Sequence, residues 1–289
     1  MDHPSAHHAL THEEAFGYSR DFLSNQFVYL VISPRAKGLS VGVNLNPVLK
    51  CSLNCVYCEV DRTTAPPHEA GLDVQRMVKE LGETLELAQG GWLRQWPRYK
   101  NLPAELLEIR HVALSGDGEP TLSKDFIEAT REVVHLRQTG RHFKIVLLTN
   151  STGLDQPQVQ AGLGLLGRQD EVWAKLDGGT QEYLNRVNGS TMSLIKIMTN
   201  ILSFARQRPV VIQSLFPAID GEDTSEFEIE EYAQRLKELK EAGAQISLVQ
   251  IYSANRPMAR RGCGHLPLKT LSRIAQRVRR VAGLQAEVY

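Results

Sequence analysis

From about residue 41 onward, short apolar runs alternate with amphipathic stretches, and the residues with chemical potential fall directly after the apolar runs. Val41–Leu45, Ile109–Leu114, Phe143–Leu148, Glu171–Leu176, Val210–Leu215 and Ile246–Ile251 read as strands. Between the first two, Val74, Met77, Val78, Leu81 and Leu85 recur at three- and four-residue spacing, the period of one helix face, so a helix is expected over Asp73–Gln89. Further helices are expected from Ser123, as N-cap, to about Gln138, and over Gln158–Leu166, Leu194–Arg206, Ser225–Glu241 and about Leu268–Val281. Strands separated by helices pair in parallel through right-handed crossovers. The pattern implies an α/β fold, either a partial barrel or an open doubly wound sheet, with 41–255 as its body. Residues 1–40 lie outside the repeat and read as an N-terminal extension with one strand, Phe27–Ile32; residues 256–289 form a basic C-terminal segment.

A chain of 289 residues, 42% hydrophobic, buries a full core without disulfide staples. Its 33 basic and 33 acidic side chains cancel, which argues against a protein that coats nucleic acid through a broad positive field and leaves room for a local basic patch. The longest apolar runs, around Phe27–Ile32 and Ile145–Leu148, fall far short of the roughly 20 residues that span a bilayer. No basic region followed by an apolar stretch opens the chain, so a cytoplasmic protein with no membrane partner is expected.

Parallel α/β folds bind ligands at the carboxyl ends of their strands. After the first strand comes Cys51-Ser-Leu-Asn-Cys55-Val-Tyr-Cys58, with the remaining cysteine, Cys263, far downstream. An odd local cluster of this kind is no disulfide framework. It suits metal ligands or redox thiols. Three thiolates on one tight loop can hold three corners of a cubane iron–sulfur cluster and leave its fourth iron open. A structural zinc site wants four ligands, and neither His68 nor Cys263 has a fitting spacing. A thioredoxin-like pair, Cys55 and Cys58, leaves Cys51 unused.

This C-x3-C-x2-C run, with the aromatic Tyr57 before its last cysteine, resembles the motif of the radical S-adenosylmethionine (radical SAM) superfamily. The resemblance covers most of 41–255 and implies a partial (β/α)6 barrel. It implies one 4Fe–4S cluster on Cys51, Cys55 and Cys58, with S-adenosyl-L-methionine chelating the open iron beside Tyr57. Reductive cleavage of that cosubstrate to a 5′-deoxyadenosyl radical would need a low-potential electron donor of the flavodoxin or ferredoxin type. Ser115-Gly-Asp-Gly-Glu-Pro-Thr121 resembles the superfamily's Gly-Gly-Glu-Pro segment with Asp117 at the first glycine, so Gly118, Glu119 and Pro120 are expected to meet the cosubstrate's amino group. Asn150 and Ser151 are expected at its ribose, and Gln213 is a further cofactor-side candidate. The segments SGDGEPTL and KLDGG resemble a poorly characterised group related to the tRNA wybutosine-forming enzymes, whose second cysteine cluster is missing here. The substrate expected is a small molecule or a tRNA nucleoside. A glycyl-radical-type activase of a partner protein and a non-enzymatic iron–sulfur carrier are the alternatives.

Lys175 and Asp177 alternate on one strand and therefore share a face. A charge within so apolar a strand is costly unless paired, so both are catalytic candidates. Ser214, Tyr252, Asn255 and Arg256 are weaker candidates at the following strand ends. Cys263 reads as a loop thiol, His3, His7, His8 and His12 as a polar tail, and Arg256–Arg280 as a basic face set against the acidic run Glu222–Glu231.

Overall fold

A computed structural model of the chain describes residues 22–60, 62, 71–254 and 262–289. The expectations placed on His3, His7, His8, His12, His68, Asn255, Arg256, Arg260 and Arg261 lie outside these residues.

The strands, in chain order, are β1 Val28–Ser33, β2 Gly38–Asn44, β3 Ile109–Ser115, β4 Lys144–Thr149, β5 Glu171–Lys175, β6 Val210–Leu215, β7 Ile246–Tyr252 and β8 Ala286–Val288. They form one sheet in that same order. Strands β2 to β8 are all parallel, and β1 pairs antiparallel with β2 through a tight turn at residues 34–37. Six strands of the repeat and the sequential order fit the curled half-barrel of the expected fold. Described parts of both flanking segments belong to this sheet, β1 at one edge and β8 at the other.

The helices longer than one turn are α1 Val74–Gln89, α2 Phe126–Gln138, α3 Pro157–Leu163, α4 Gln181–Asn188, α5 Leu194–Ala205, α6 Glu226–Glu241 and α7 Leu268–Ala282. Side-chain caps from Asp73, Thr180, Ser193 and Ser225 satisfy the free N–H groups of α1, α4, α5 and α6. Helix α2 begins later than expected. Ser123 closes a short 3-10 turn over Pro120–Leu122, and its hydroxyl accepts from the Asp125 amide instead of capping the helix. Helix α4 was not foreseen, because its eight residues are mostly polar.

Strand alternation divides the sheet into two faces. Val112, Leu114, Ile145, Leu147, Val172, Ile212, Val249 and Ile251 face outward and join the helices in the main core. Val146, Trp173 and Val211 form a separate inner cluster with Leu148 and Leu248. Two residues further along each strand, toward the carboxyl ends, the same inner face carries Lys175, Gln213 and Gln250, with Tyr252 two beyond that. The lumen thus has an apolar floor and a polar mouth. Across its open side, the β1–β2 turn reaches the far edge: Lys37 pairs with Glu287 at 3.5 Å, and the Arg35 guanidinium lies 4.0 Å over the Tyr252 ring.

Arginines of α7 are spent against α6. Arg273 pairs with Glu226 at 2.9 Å, and Arg277 binds Glu230. Part of the basic face noted in the sequence meets the acidic run in these pairs. Among the described residues no helix is long and apolar enough to cross a membrane.

His111 sits below the inner cluster, 2.8 Å from the Ser40 hydroxyl and edge-on to Trp173 with ring centroids 5.2 Å apart. Burial, aided by Lys144 and Arg35, pushes its pKa from 6.5 down to about 3. Between those values the unfolded chain binds a proton that the folded chain refuses, so stability drops as pH falls, by about 1.4 kcal/mol per pH unit. Urea unfolding of His111→Gln should lose that component of the acid slope relative to the parent protein.

Candidate functional site

The cysteine loop lies across the carboxyl ends of β2, β3 and β4, and the chain enters it under strain. Leu49 takes a left-handed backbone (φ 61°), which a branched side chain occupies only under constraint. Asn46 provides the constraint: its amide donates to the carbonyls of Lys50 and Glu119, both at 2.8 Å, and its Oδ1 accepts from the Lys50 amide at 3.2 Å. The Glu119 amide in turn donates to the Lys50 carbonyl at 2.9 Å. Gly118 lies flat against this junction, where a Cβ would come within 2.0 Å of the Lys50 oxygen. Only glycine fits there.

Each thiol of the motif is half-buried and meets a nitrogen donor from a different part of the chain. Asn150 Nδ2 stands 3.5 Å from Cys51 Sγ, Asn188 Nδ2 3.3 Å from Cys55 Sγ, and Arg62 Nη2 3.7 Å from Cys58 Sγ. Burial raises the pKa of Cys51, and burial with the Asp177 charge pushes Cys55 up to about 12. Both are thiols in the metal-free chain, so loading a metal centre must release their protons.

Behind Cys55 lies a saturated carboxylate. Asp177 Oδ2 accepts from the Tyr57 hydroxyl and from Asn188 Nδ2 at 3.0 Å. Its Oδ1 accepts from the Leu215 amide at 3.0 Å and pairs with Lys175 Nζ at 2.9 Å. Lys175 also donates to the Tyr252 hydroxyl at 2.9 Å and lies 5.0 Å and 4.9 Å from the ring centroids of Tyr57 and Tyr252. Burial works against the Lys175 charge, but Asp177 and Tyr252 outweigh it and raise the pKa, so the ammonium keeps its proton. Gln213 donates to Gln250 Oε1 at 3.0 Å and accepts from Tyr252 at 3.4 Å, extending the network across β6 and β7.

A second buried carboxylate, Glu119, ties two strand ends together. It accepts from Thr121 Oγ1 at 2.7 Å, Thr149 Oγ1 at 2.6 Å and the Asn150 amide at 2.7 Å. Both its oxygens are thereby engaged.

A family model described as the radical SAM superfamily matches residues 45–229, well over half of the chain. The chain belongs to the radical SAM superfamily. It is similar to the UPF0026 protein slr1464 of Synechocystis sp., at 31% identity over 183 residues, covering 62% of this chain and 60% of that protein. It is also similar to the GTPase Obg of Brachyspira hyodysenteriae, at 24% identity, covering 61% of this chain and 23% of that protein. The chain therefore spans less than two thirds of these curated relatives. A structure of TYW1 with a lysine–pyruvate adduct bound shares the fold with a TM-score of 0.55, at 15% identity over 91% of this chain and 85% of that one. An archaeal TYW1 crystal structure gives 0.51, at 13% identity over 92% and 85%. At such identities the likeness is one of fold.

Radical SAM enzymes carry a 4Fe–4S cluster and S-adenosylmethionine, and the donor set here fits the cluster: three thiols on one pinned loop, each with an N–H group facing its sulfur. Among the described residues no three His, Cys, Asp or Glu side chains gather closely enough for one metal ion. A cubane makes a different demand, because each thiolate bonds its own iron and the three sulfurs stand apart.

The structure brings Tyr57, Gly118, Glu119, Pro120, Asn150, Lys175, Asp177 and Gln213 to this mouth. Ser151 is there too, but its hydroxyl is turned to the Lys175 carbonyl at 3.1 Å and its backbone is left-handed (φ 69°). Ser214 faces away, bonded to the Leu176 carbonyl and to Tyr232 in the outer core. Cys263 is remote in chain and pairing, in a two-residue ribbon with Ile219. Asn188, Arg62 and Asn46 escaped the sequence reading; Asn188 ends an unforeseen helix, and nothing local marks it. Gly118→Ala should drive its methyl group into the Lys50 carbonyl, cost about 2–4 kcal/mol in urea unfolding, and speed amide exchange across the cysteine loop.

Proposed function

We propose that this chain is a radical SAM enzyme in which Cys51, Cys55 and Cys58 hold three irons of a single 4Fe–4S cluster, leaving the fourth for S-adenosylmethionine. The meeting of all three sulfurs with N–H donors at the carboxyl mouth of the barrel carries this reading. When bound, the cluster and its cosubstrate supply one-electron cleavage of a C–S bond and a 5′-deoxyadenosyl radical that takes hydrogen from the substrate. The protein's part is to place and shield.

In this reading Asn150, Asn188 and Arg62 stabilise negative charge on the sulfurs, as N–H donors around such centres do. Gly118, Glu119 and Pro120 border the cosubstrate's amino group, Glu119 by position, since its carboxylate is committed to Thr121, Thr149 and Asn150 and its carbonyl to Asn46. Asn150 and Ser151 border the nucleoside, Ser151 by shape, because its hydroxyl is bonded elsewhere. Tyr57 and Asp177 brace the loop. Lys175 presents a fixed ammonium to the lumen, and Gln213 lines the wall beside it. Reducing equivalents come from a low-potential flavodoxin- or ferredoxin-type donor. A small-molecule substrate is favoured over a tRNA nucleoside, because Arg273 and Arg277 of α7 face Glu226 and Glu230, a surface of mixed charge and not a continuous basic one. The activase and carrier readings draw no support from the family or the fold.

Anaerobically reconstituted protein should hold about four irons per chain and release 5′-deoxyadenosine from S-adenosylmethionine on reduction. Cys51→Ala, Cys55→Ala or Cys58→Ala should abolish both, and Cys263→Ala neither; a cluster that survives loss of any one of the first three overturns the assignment. Asn188→Ala should retain iron but lower the cluster's reduction potential, read by EPR-monitored titration, because the thiolate loses a donor that favours the more negative state.

A further inference from the structure

Among the described residues, one charge at the open side of the lumen closes the barrel yet lacks a counter-ion. Arg35, in the turn between β1 and β2, stacks on the Tyr252 ring from the open side of the half-barrel, 4.0 Å from its centroid. Its Nε is buried without a hydrogen-bond partner, and among the described residues the guanidinium has no ion-pair partner. The neighbouring charges are already matched. Lys175 pairs with Asp177 at 2.9 Å, and Lys144 with Glu171 at 2.8 Å. Glu287 is held by Lys37 at 3.5 Å and by the Tyr289 hydroxyl at 2.6 Å. His111, on the floor, is neutral.

A half-buried guanidinium without a counter-ion is costly. Contact with Tyr252 holds the guanidinium in place, and its terminal Nη groups, a fork of N–H donors with no hydrogen bond among the described residues, suit a planar or tetrahedral oxyanion. The same Tyr252 ring is flanked by Lys175 at 4.9 Å, and its hydroxyl is bonded to that ammonium, so two cations border one patch of the lumen wall. Gln213 and Gln250 add amide groups beside it.

We propose that Arg35 binds an oxyanion of the substrate, a carboxylate or a phosphate, inside the lumen, so that the substrate class is an anionic small molecule. This rests on the radical SAM reading only in taking the lumen as the substrate site. A lysine at this position would keep the charge but lose the fork.

The test is protection of Arg35 from p-hydroxyphenylglyoxal in the reconstituted holoprotein, quantified by peptide mass spectrometry, at ionic strength matched with chloride. Inorganic phosphate and acetate are the two probes. One of them should slow modification of Arg35 by about fivefold or more while exposed Arg131 reacts unchanged. Protection by phosphate alone assigns a phosphorylated substrate; protection by acetate assigns a carboxylate. In a parallel thermal-unfolding series the effective anion should raise the parent protein's Tm and leave that of Arg35→Gln unmoved. Equal modification rates with and without both anions, or a Tm rise that persists in Arg35→Gln, overturns the proposal and leaves Arg35 as a strut closing the barrel. Neither readout depends on cosubstrate cleavage. An intact cluster with an unprotected Arg35 sinks the substrate class alone, and a protected Arg35 without a cluster sinks the cofactor reading alone.

Discussion

The mouth of this barrel is organised around the carboxylate of Asp177, which accepts four donors at the end of β5. A carboxylate is tolerated in the interior only when donors replace its lost water. Each donor comes from a different place: Tyr57 from the cysteine loop, Asn188 from the end of α4, Leu215 from β6 and Lys175 from β5 itself. One side chain therefore fixes the relative positions of the cysteine loop, a helix terminus and two strands. Asn188 spans the last gap, bonded to both Asp177 and Cys55.

Glu119 plays the matching part on the other side of the loop. Its bonds to Thr121, Thr149 and the Asn150 amide hold the ends of β3 and β4 together, and its own backbone clasps Lys50. Between the two carboxylates the cysteine loop is gripped at both flanks, and Asn46 tightens the entry far enough to hold Leu49 in an unfavourable backbone region. The loop is thus held by the protein's own side chains. Pre-organisation of that kind lowers the cost of binding.

Much of this was legible in the sequence, and the reason is periodicity. Strands such as Val210–Leu215 were read with their observed bounds because a buried parallel strand is a short branched-apolar run with sharp polar ends. The alternation of Lys175 and Asp177 foretold a shared face, and they do pair. Helix α4 and strand β8 were not legible: the first is short and polar, the second only three residues long. The partners of the thiols were hidden for another reason. Asn188 is 133 positions from Cys55, and Asn150 is 99 from Cys51, so only the curl of the sheet brings them together. Arg35 carries no sequence signal, because its turn precedes the strand–helix repeat and only the curl of the sheet brings it to Tyr252 on the barrel's open side.

That closure constrains how the molecule is made. The turn carrying Arg35 and Lys37 meets Tyr252 and Glu287, partners more than two hundred positions away along the chain. Such long-range contacts are entropically late, and they cannot form before Tyr252 and Glu287 have been brought into the sheet. Until those two partners are in place the half-barrel stays open on this side, so its wall is completed late in the folding of the domain.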